Sequence, residues 1–520
     1  MPLKPTSDGK QNTVRPSPLY LEPRLEPLLR SLLETTDFLH TLVDALGSPL
    51  NLLLPEQIAD NLARFRSVYR KHHLTGRIYF AHKANRSSAL VRRLAATDAG
   101  LDVASLGELQ HALGAGCTPD RIMATGPKSR EFLWLAARTG ATVHLDSRGE
   151  LDDLADLVRK HSLPRVPVMP RLSGFPSPGT TVLTRPSRFG SPVSELDDLL
   201  DTLERHQDAV ELTGVAYHLD TTGMAEKAVA LEACIRVMDD CHRRGLRPRT
   251  IDIGGGFGVN YLADAAQWEQ YTTELTNAVL GRRPALTWQG HGYGLRNESG
   301  TLRGALGLYP AHRPVAAEAY LDELLSHRAP TLGRPLATLL LENLYELAVE
   351  PGRALVDQCG ATLARVLEVR HTPDGTCLVR LEMNARDASL EDHGVLMDPV
   401  LIPRSGAPAA SAPATTAPSA SALPDGPVGV HLLGNLCLEA DLITRRLVHL
   451  PRLPAPGDLL AFANTAGYLM DFNAGRPLQQ PVARKVAAYR QDGAWHWRLD
   501  EQYWPLDTTG AATHQGDGRA

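Results

Sequence analysis

Four short motifs carry side chains able to do chemistry, and each follows an apolar run that reads as a β-strand. Lys83 closes RIYFAHK, His218 stands at the end of TGVAYHL, GGGFG at 254–258 follows TIDI, and EPGR at 350–353 follows ATLLLENLYELAV. An amine at the mouth of a strand buried on both faces is desolvated, which lowers its pKa and lets it form a Schiff base with a carbonyl. A flat imidazole can stack on a ring. A Gly-rich turn before a helix offers backbone N–H groups to a phosphate, although this one lacks the GxGxxG spacing and the acidic residue of a dinucleotide site. Glu350 can face a cationic ring nitrogen while Arg353 forks onto a phosphate. Taken singly, each has a plainer reading: a solvated lysine, a core histidine, a tight turn, a surface ion pair. All four falling at strand C-termini in one series is far less expected by chance than any one of them, and points to a single shared site.

The elements that must position them repeat. From Arg77 to Asp264, seven short apolar runs alternate with amphipathic stretches such as SLGELQHALGAG and RGELDDLADLVRKH. Strands alternating with helices predict a parallel sheet. With the run before Glu350 as an eighth strand, the expectation is a (β/α)8 TIM-type barrel over 45–352, with its site at the strands' C-terminal ends. A doubly wound open sheet is the competing fold. The stretch 281–333 interrupts the repeat as an insertion. After Arg353, strand-like runs without long helices predict an antiparallel β domain over 353–506. Within it the Ala/Pro/Ser tract 403–427 cannot bury a core and reads as a surface loop. Residues 1–44 read as a tail and helix packing partly on the β domain, and 507–520 as a tail.

The 520 residues suit two or three domains, at roughly 100–200 residues each. With 54 basic against 59 acidic residues and no basic block, nucleic acid and anionic membranes are poor partners. Six cysteines without a CxxC pair fit reduced thiols, and the absence of a signal-like apolar region fits a cytoplasmic protein. Only eight residues are lysines (4, 10, 71, 83, 128, 160, 227 and 485), so candidates for an amine are few.

The chain resembles the fold-type III pyridoxal-phosphate-dependent decarboxylases, the group of diaminopimelate, ornithine and arginine decarboxylases. The resemblance rests on YFAHKAN (79–85), LDVASLGEL (101–109), TGPK (125–128), LDS (145–147), SRFG (187–190), IDIGGGFG (251–258), EPGR (350–353), MN (383–384), LGNLCLEAD (433–441) and AGYLMDFNAGRP (466–477). It implies an alanine-racemase-like barrel plus a β domain, pyridoxal 5'-phosphate as cofactor and a homodimer with shared sites. Lys83 would hold the cofactor as internal aldimine, with His218 stacked on its ring. Gly254, Gly255, Gly256, Arg353 and Tyr468 would hold its phosphate, and Asp102 and Arg171 would join the cofactor site. Glu350 would keep the pyridine nitrogen protonated; alanine racemases place an arginine there, so the carboxylate favours decarboxylation. Cys437 would act from the partner subunit to protonate the substrate carbon, and Arg188 and Asp441 match positions that pair across the dimer.

Three departures concern the substrate. Members acting on diamino acids carry an acid directly after the cysteine, whereas here Leu438 follows Cys437 and the acid is Glu439, on the opposite face of an extended strand. HLDTTG places Asp220 where a glycine is usual and Thr221 in place of a phosphate-binding serine. MNARDASLEDHG lacks the family's substrate-gripping Arg and Tyr and offers a shifted Arg386. The sequence therefore predicts an amino acid decarboxylase with an altered substrate pocket. The alternatives are a racemase or other reaction on this scaffold, or a non-catalytic cofactor-binding homologue.

Overall fold

The computed structural model describes residues 17–176, 187–404 and 426–505. Most of the expected 403–427 loop and all of the 507–520 tail lie outside the described residues. A first strand, β1 (Leu50–Leu53), precedes the repeat. The barrel strands follow as β2 (Gly76–Ala81), β3 (Gly100–Val103), β4 (Ile122–Ala124), β5 (Thr142–Leu145), β6 (Val166–Ser173), β7 (Gly214–Tyr217), β8 (Thr250–Asp252) and β9 (Glu346–Val349). Among the described residues these eight parallel strands form a closed ring: β5 pairs with β6 and β9 pairs back onto β2. That closure decides for the barrel over the open sheet.

The local reasons are simple. Strands such as GLDV and GVAY are buried along their whole length, as a sheet covered by helices requires. Serines end four successive β-to-α turns: Ser87, Ser105, Ser129 and Ser147 each accept the N–H of the third residue onward and cap the helix that follows. Inside the ring, Tyr79, Met123, Met169, Ala216 and Ala348 form an apolar floor. Side chains alternate with period two, so the next inward layer holds Ala81, Thr125, Arg171, His218 and Glu350. The layer where the site was expected is thus the one just above the floor.

The second sheet comprises β10 (Gly360–His371), β11 (Cys377–Leu381), β12 (Val400–Ile402), β13 (Val428–Leu433), β14 (Val448–Leu450), β15 (Leu459–Ala463), β16 (Arg484–Gln491) and β17 (Ala494–Leu499). It is mostly antiparallel and also includes β1, which pairs with β10 and β16. The barrel boundary expected at residue 45 is therefore displaced beyond β1. Leu50, Leu52 and Leu54 pack with Leu29, Leu42 and Val43 of the helices Pro27–Leu33 and Thr36–Leu46 in the core of this second domain. No helix among the described residues is long and apolar enough to cross a membrane.

Candidate active site

Lys83 sits just past β2, in a 3-10 turn spanning His82–Ala84. The register of β2 on β3 sets Asp102 level with Ala81, and its Oδ2 lies 3.9 Å from Lys83 Nζ. Thr125 Oγ1 donates to Oδ1 of the same carboxyl group, while Oδ2 is buried without a hydrogen-bond partner. Burial, reinforced by Glu350, raises Asp102 to about 7. Lys83 itself departs from expectation: Asp102 outweighs desolvation and raises the amine above its ordinary value rather than lowering it. The sequence reading placed Lys83 and Asp102 in one site but did not show the ion-pair contact that reverses the sign of the lysine's shift.

Glu350 follows β9 and is buried; its N–H donates to Gly254 O at 2.9 Å. Its Oε1 is 3.8 Å from His144 Nδ1 and its Oε2 is 3.6 Å from His218 Nδ1. The Gly255 N–H donates to that same His218 Nδ1 at 3.2 Å. Burial lowers the pKa of His218 and drives His144 down to about 4. Burial would also push Glu350 up, but the His218 and His144 imidazoles and the Lys83 amine beside it outweigh burial and hold it at about 2. Asp252, on β8 and fully buried, is raised well above the carboxylate range by burial and by Glu350. One carboxylate of the pair is ionised and the other keeps its proton.

The glycines are needed for close approach. Gly254 and Gly256 have φ of +65° and +88°, and a Cβ on Gly255 would lie 2.8 Å from Glu350 O. Arg353 Nη1 donates to Tyr261 Oη, and its guanidinium lies 5.2 Å from the Tyr468 ring centre. Tyr468 comes from the β domain, and its N–H donates to Ala84 O at 2.8 Å, which ties that loop to the Lys83 turn.

Two cavities meet at Lys83, His218 and Glu350. One, of about 510 Å³, runs toward Arg171, Phe189 and His144; the other, of about 1100 Å³, takes in Gly255, Gly256, Arg353, Tyr468 and Arg188. Asp220 is exposed and Thr221 half-buried, and both line the two cavities. Cys437, Glu439, Arg386 and Asp441 line neither. Arg386 and Glu439 are exposed, and Cys437 is the one exposed cysteine of six. Asp441 is buried and accepts the N–H of Leu436 at 2.8 Å and of Ala385 at 2.9 Å, thereby shaping the loop that carries Cys437. His144 and Asp252 escaped the sequence reading because, inside TVHL and TIDI, each resembles a satisfied core polar residue. Arg313 and Tyr309, from the insertion, also line the larger cavity; nothing in sequence ties them to it.

The pyridoxal-binding-domain profile of the family "Pyridoxal-dependent decarboxylase" matches residues 56–301. The uncharacterized protein y4yA of Sinorhizobium fredii is 30% identical over 433 residues, covering 82% of this chain and 84% of that protein. The chain belongs to the pyridoxal-dependent decarboxylase family. The family assigns it a pyridoxal phosphate cofactor and a carboxy-lyase reaction on an amino acid. A probable chloroplastic diaminopimelate decarboxylase of Oryza sativa is 27% identical over 230 residues, 42% of this chain and 46% of that enzyme, so the match spans about half of that relative. In fold, the chain resembles the diaminopimelate decarboxylase of M. jannaschii in complex with L-lysine, with a TM-score of 0.64 and 17% identity over 88% of this chain and 91% of that one.

The residues present fit this family's cofactor. Asp102 Oδ2, His144 Nε2 and Asp252 Oδ2 are buried polar atoms without partners. The glycine turn leaves room that a Cβ would fill, and the buried carboxylate of Glu350 lines the same cavity as the Lys83 amine.

Proposed function

We propose that this chain is a diaminopimelate decarboxylase-like amino acid decarboxylase with an altered substrate pocket, working from the site around Lys83. The observation that carries the reading is Glu350: a buried carboxylate held at about 2 beside His144 and His218, in a cavity where Lys83 is the one lysine among the described residues that line it. Lys83 Nζ would hold the cofactor's aldehyde carbon covalently, with Asp102 steering the amine. His218 would stack on the ring, the Gly254–Gly256 amides, Arg353 and Tyr468 would hold the phosphate, and Arg171 would close the far edge. Glu350 would keep a proton on the ring nitrogen. Bound pyridoxal phosphate supplies an electron sink for the pair left at the substrate's Cα when CO2 departs.

That proton on the ring favours decarboxylation over racemisation, because the sink is strongest when the nitrogen is cationic. The exposed Cys437 supports a homodimer in which each thiol serves the partner's site and delivers a proton to Cα, with Arg188 and Asp441 meeting across the interface. The same exposure makes Glu439 and Arg386 candidates for reaching the partner's substrate. Leu438, in the place of an acid, argues against a distal ammonium in the substrate.

The test is CO2 release from a panel of amino acids and diamino acids, with Lys83→Ala as blank. CO2 with an amine product supports the reading. Product of unchanged mass and inverted chirality replaces it with racemisation.

A further inference from the structure

The insertion 281–333 is stitched to the segment that follows the glycine turn. Tyr261 N donates to Ala311 O at 2.8 Å, Ala317 N to Gly258 O at 2.8 Å, and Arg313 N to Asn260 Oδ1 at 2.8 Å, while Asn260 Nδ2 returns a bond to Arg313 O at 3.1 Å. This fixes Tyr309 and Arg313 in the larger cavity. Tyr309 accepts the Val259 N–H at 2.9 Å, and its ring centre lies 4.9 Å from the guanidinium carbon of Arg353 and equally 4.9 Å from that of Arg313. The two guanidiniums are thus held about one aromatic ring.

Arg313 is poised for an anion. Its Nη1 donates to Thr222 Oγ1 at 3.1 Å, its Nε is buried without a hydrogen-bond partner, and among the described residues no carboxylate pairs with it. A Cβ on Gly258 would lie 2.8 Å from that Nε, so glycine there lets the guanidinium reach the turn. The turn it bonds to is the one in which Asp220 departs from the family pattern, and Asp220 lines the same cavity. A carboxylate beside a phosphate dianion is repulsive, and a second guanidinium offsets it.

We infer that Arg313 is a second phosphate-binding arginine, supplied by the insertion, which together with Arg353 grips the phosphate monoester of the cofactor and compensates for Asp220. The inference rests on the reading that this cavity holds pyridoxal phosphate. It concerns how the chain binds that group, so binding rather than turnover is its test.

Dissociation constants for pyridoxal phosphate and for pyridoxal, which lacks the phosphate, would be measured on the intact protein and on Arg313→Met and Arg313→Met/Asp220→Asn variants. Arg313→Met is expected to weaken pyridoxal phosphate roughly ten- to a hundredfold, the loss of one charge-assisted grip, and to leave pyridoxal nearly unchanged. Adding Asp220→Asn should restore part of the loss. Inorganic phosphate should compete with the cofactor in the intact protein and compete less well in Arg313→Met. Equal weakening of both ligands would make Arg313 structural, and unchanged affinity for pyridoxal phosphate would remove it from the site; either overturns the inference. If the intact protein binds neither ligand, it is the underlying cofactor reading that fails. Should Arg313→Met not fold, Asp220→Asn alone must tighten pyridoxal phosphate without tightening pyridoxal, and no change would again overturn the inference.

Discussion

Glu350 and Asp252 flank one imidazole: Glu350 Oε1 lies 3.8 Å from His144 Nδ1, and Asp252 Oδ2 lies 3.8 Å from His144 Nε2. Two acids in one buried cluster cannot both ionise cheaply. Here Glu350 is held at about 2 and Asp252 is pushed well above the carboxylate range. Because Glu350 ionises so low, it stays charged throughout pH 5–8. Replacing Glu350 with Gln should slow CO2 release on the order of a hundredfold, the scale of losing one preorganised electrostatic group. The ratio of intact to variant rates should stay flat from pH 5 to pH 8. A ratio that collapses toward pH 5 would mean the carboxylate titrates in that range.

Lys227 is a buried amine without a carboxylate partner among the described residues; it donates to Gly255 O, and burial lowers it to about 7. Between pH 7 and 10.5 the unfolded chain binds a proton that the folded chain does not, so stability rises with pH across that window. The burial penalty is complete below pH 7. Lys227→Met should therefore raise the unfolding temperature at pH 6–7, by an amount reflecting about 1–4 kcal/mol, with the gain fading toward pH 10. Thermal melts of both proteins across this range check it; a gain that does not shrink with pH would contradict it.

Of the six cysteines five are buried and Cys437 is exposed. A short exposure to iodoacetamide in native buffer should label Cys437 first, with the other five protected until the protein unfolds. Peptide mass mapping reads the order. Cys437→Ala should then lower CO2 release much more than it weakens cofactor binding, and unchanged turnover would exclude the thiol from the reaction.

Arg446 and Asp398 form a buried ion pair in the β domain, and Asp398 Oδ2 also accepts the Leu21 N–H at 2.6 Å. Removing one partner strands the other's charge away from water. Asp398→Ala should cost about 3–5 kcal/mol, read by denaturant unfolding, and loosen the N-terminal segment around Leu21.

The sequence made the barrel legible because its strands are apolar, short and evenly alternated with helices, and because Lys83, His218 and Glu350 each close one of them. Other features depend on partners that are distant in sequence. LNLL at 50–53 is a strand in either domain; only the packing of Leu50 and Leu52 on the N-terminal helices assigns it to the second sheet. Lys83 was expected to be depressed by burial, but the sign of its shift is set by Asp102, one unit of the repeat onward and brought beside it by strand register. His144 looks like a core residue until Glu350, some 200 residues later, is folded against it. Arg386 is an example in the other direction: its place after MN suggested a substrate contact, and it is exposed and lines neither cavity of its own chain.

The account turns on one amine. The protein, loaded with pyridoxal phosphate, would be reduced with borohydride, digested, and mapped by mass spectrometry for the lysine that carries the cofactor. The predicted result is a single modified peptide containing Lys83, absent from Lys83→Ala. Label on Lys227, on Lys128 or on no lysine would contradict the site described around Lys83, Asp102 and Glu350.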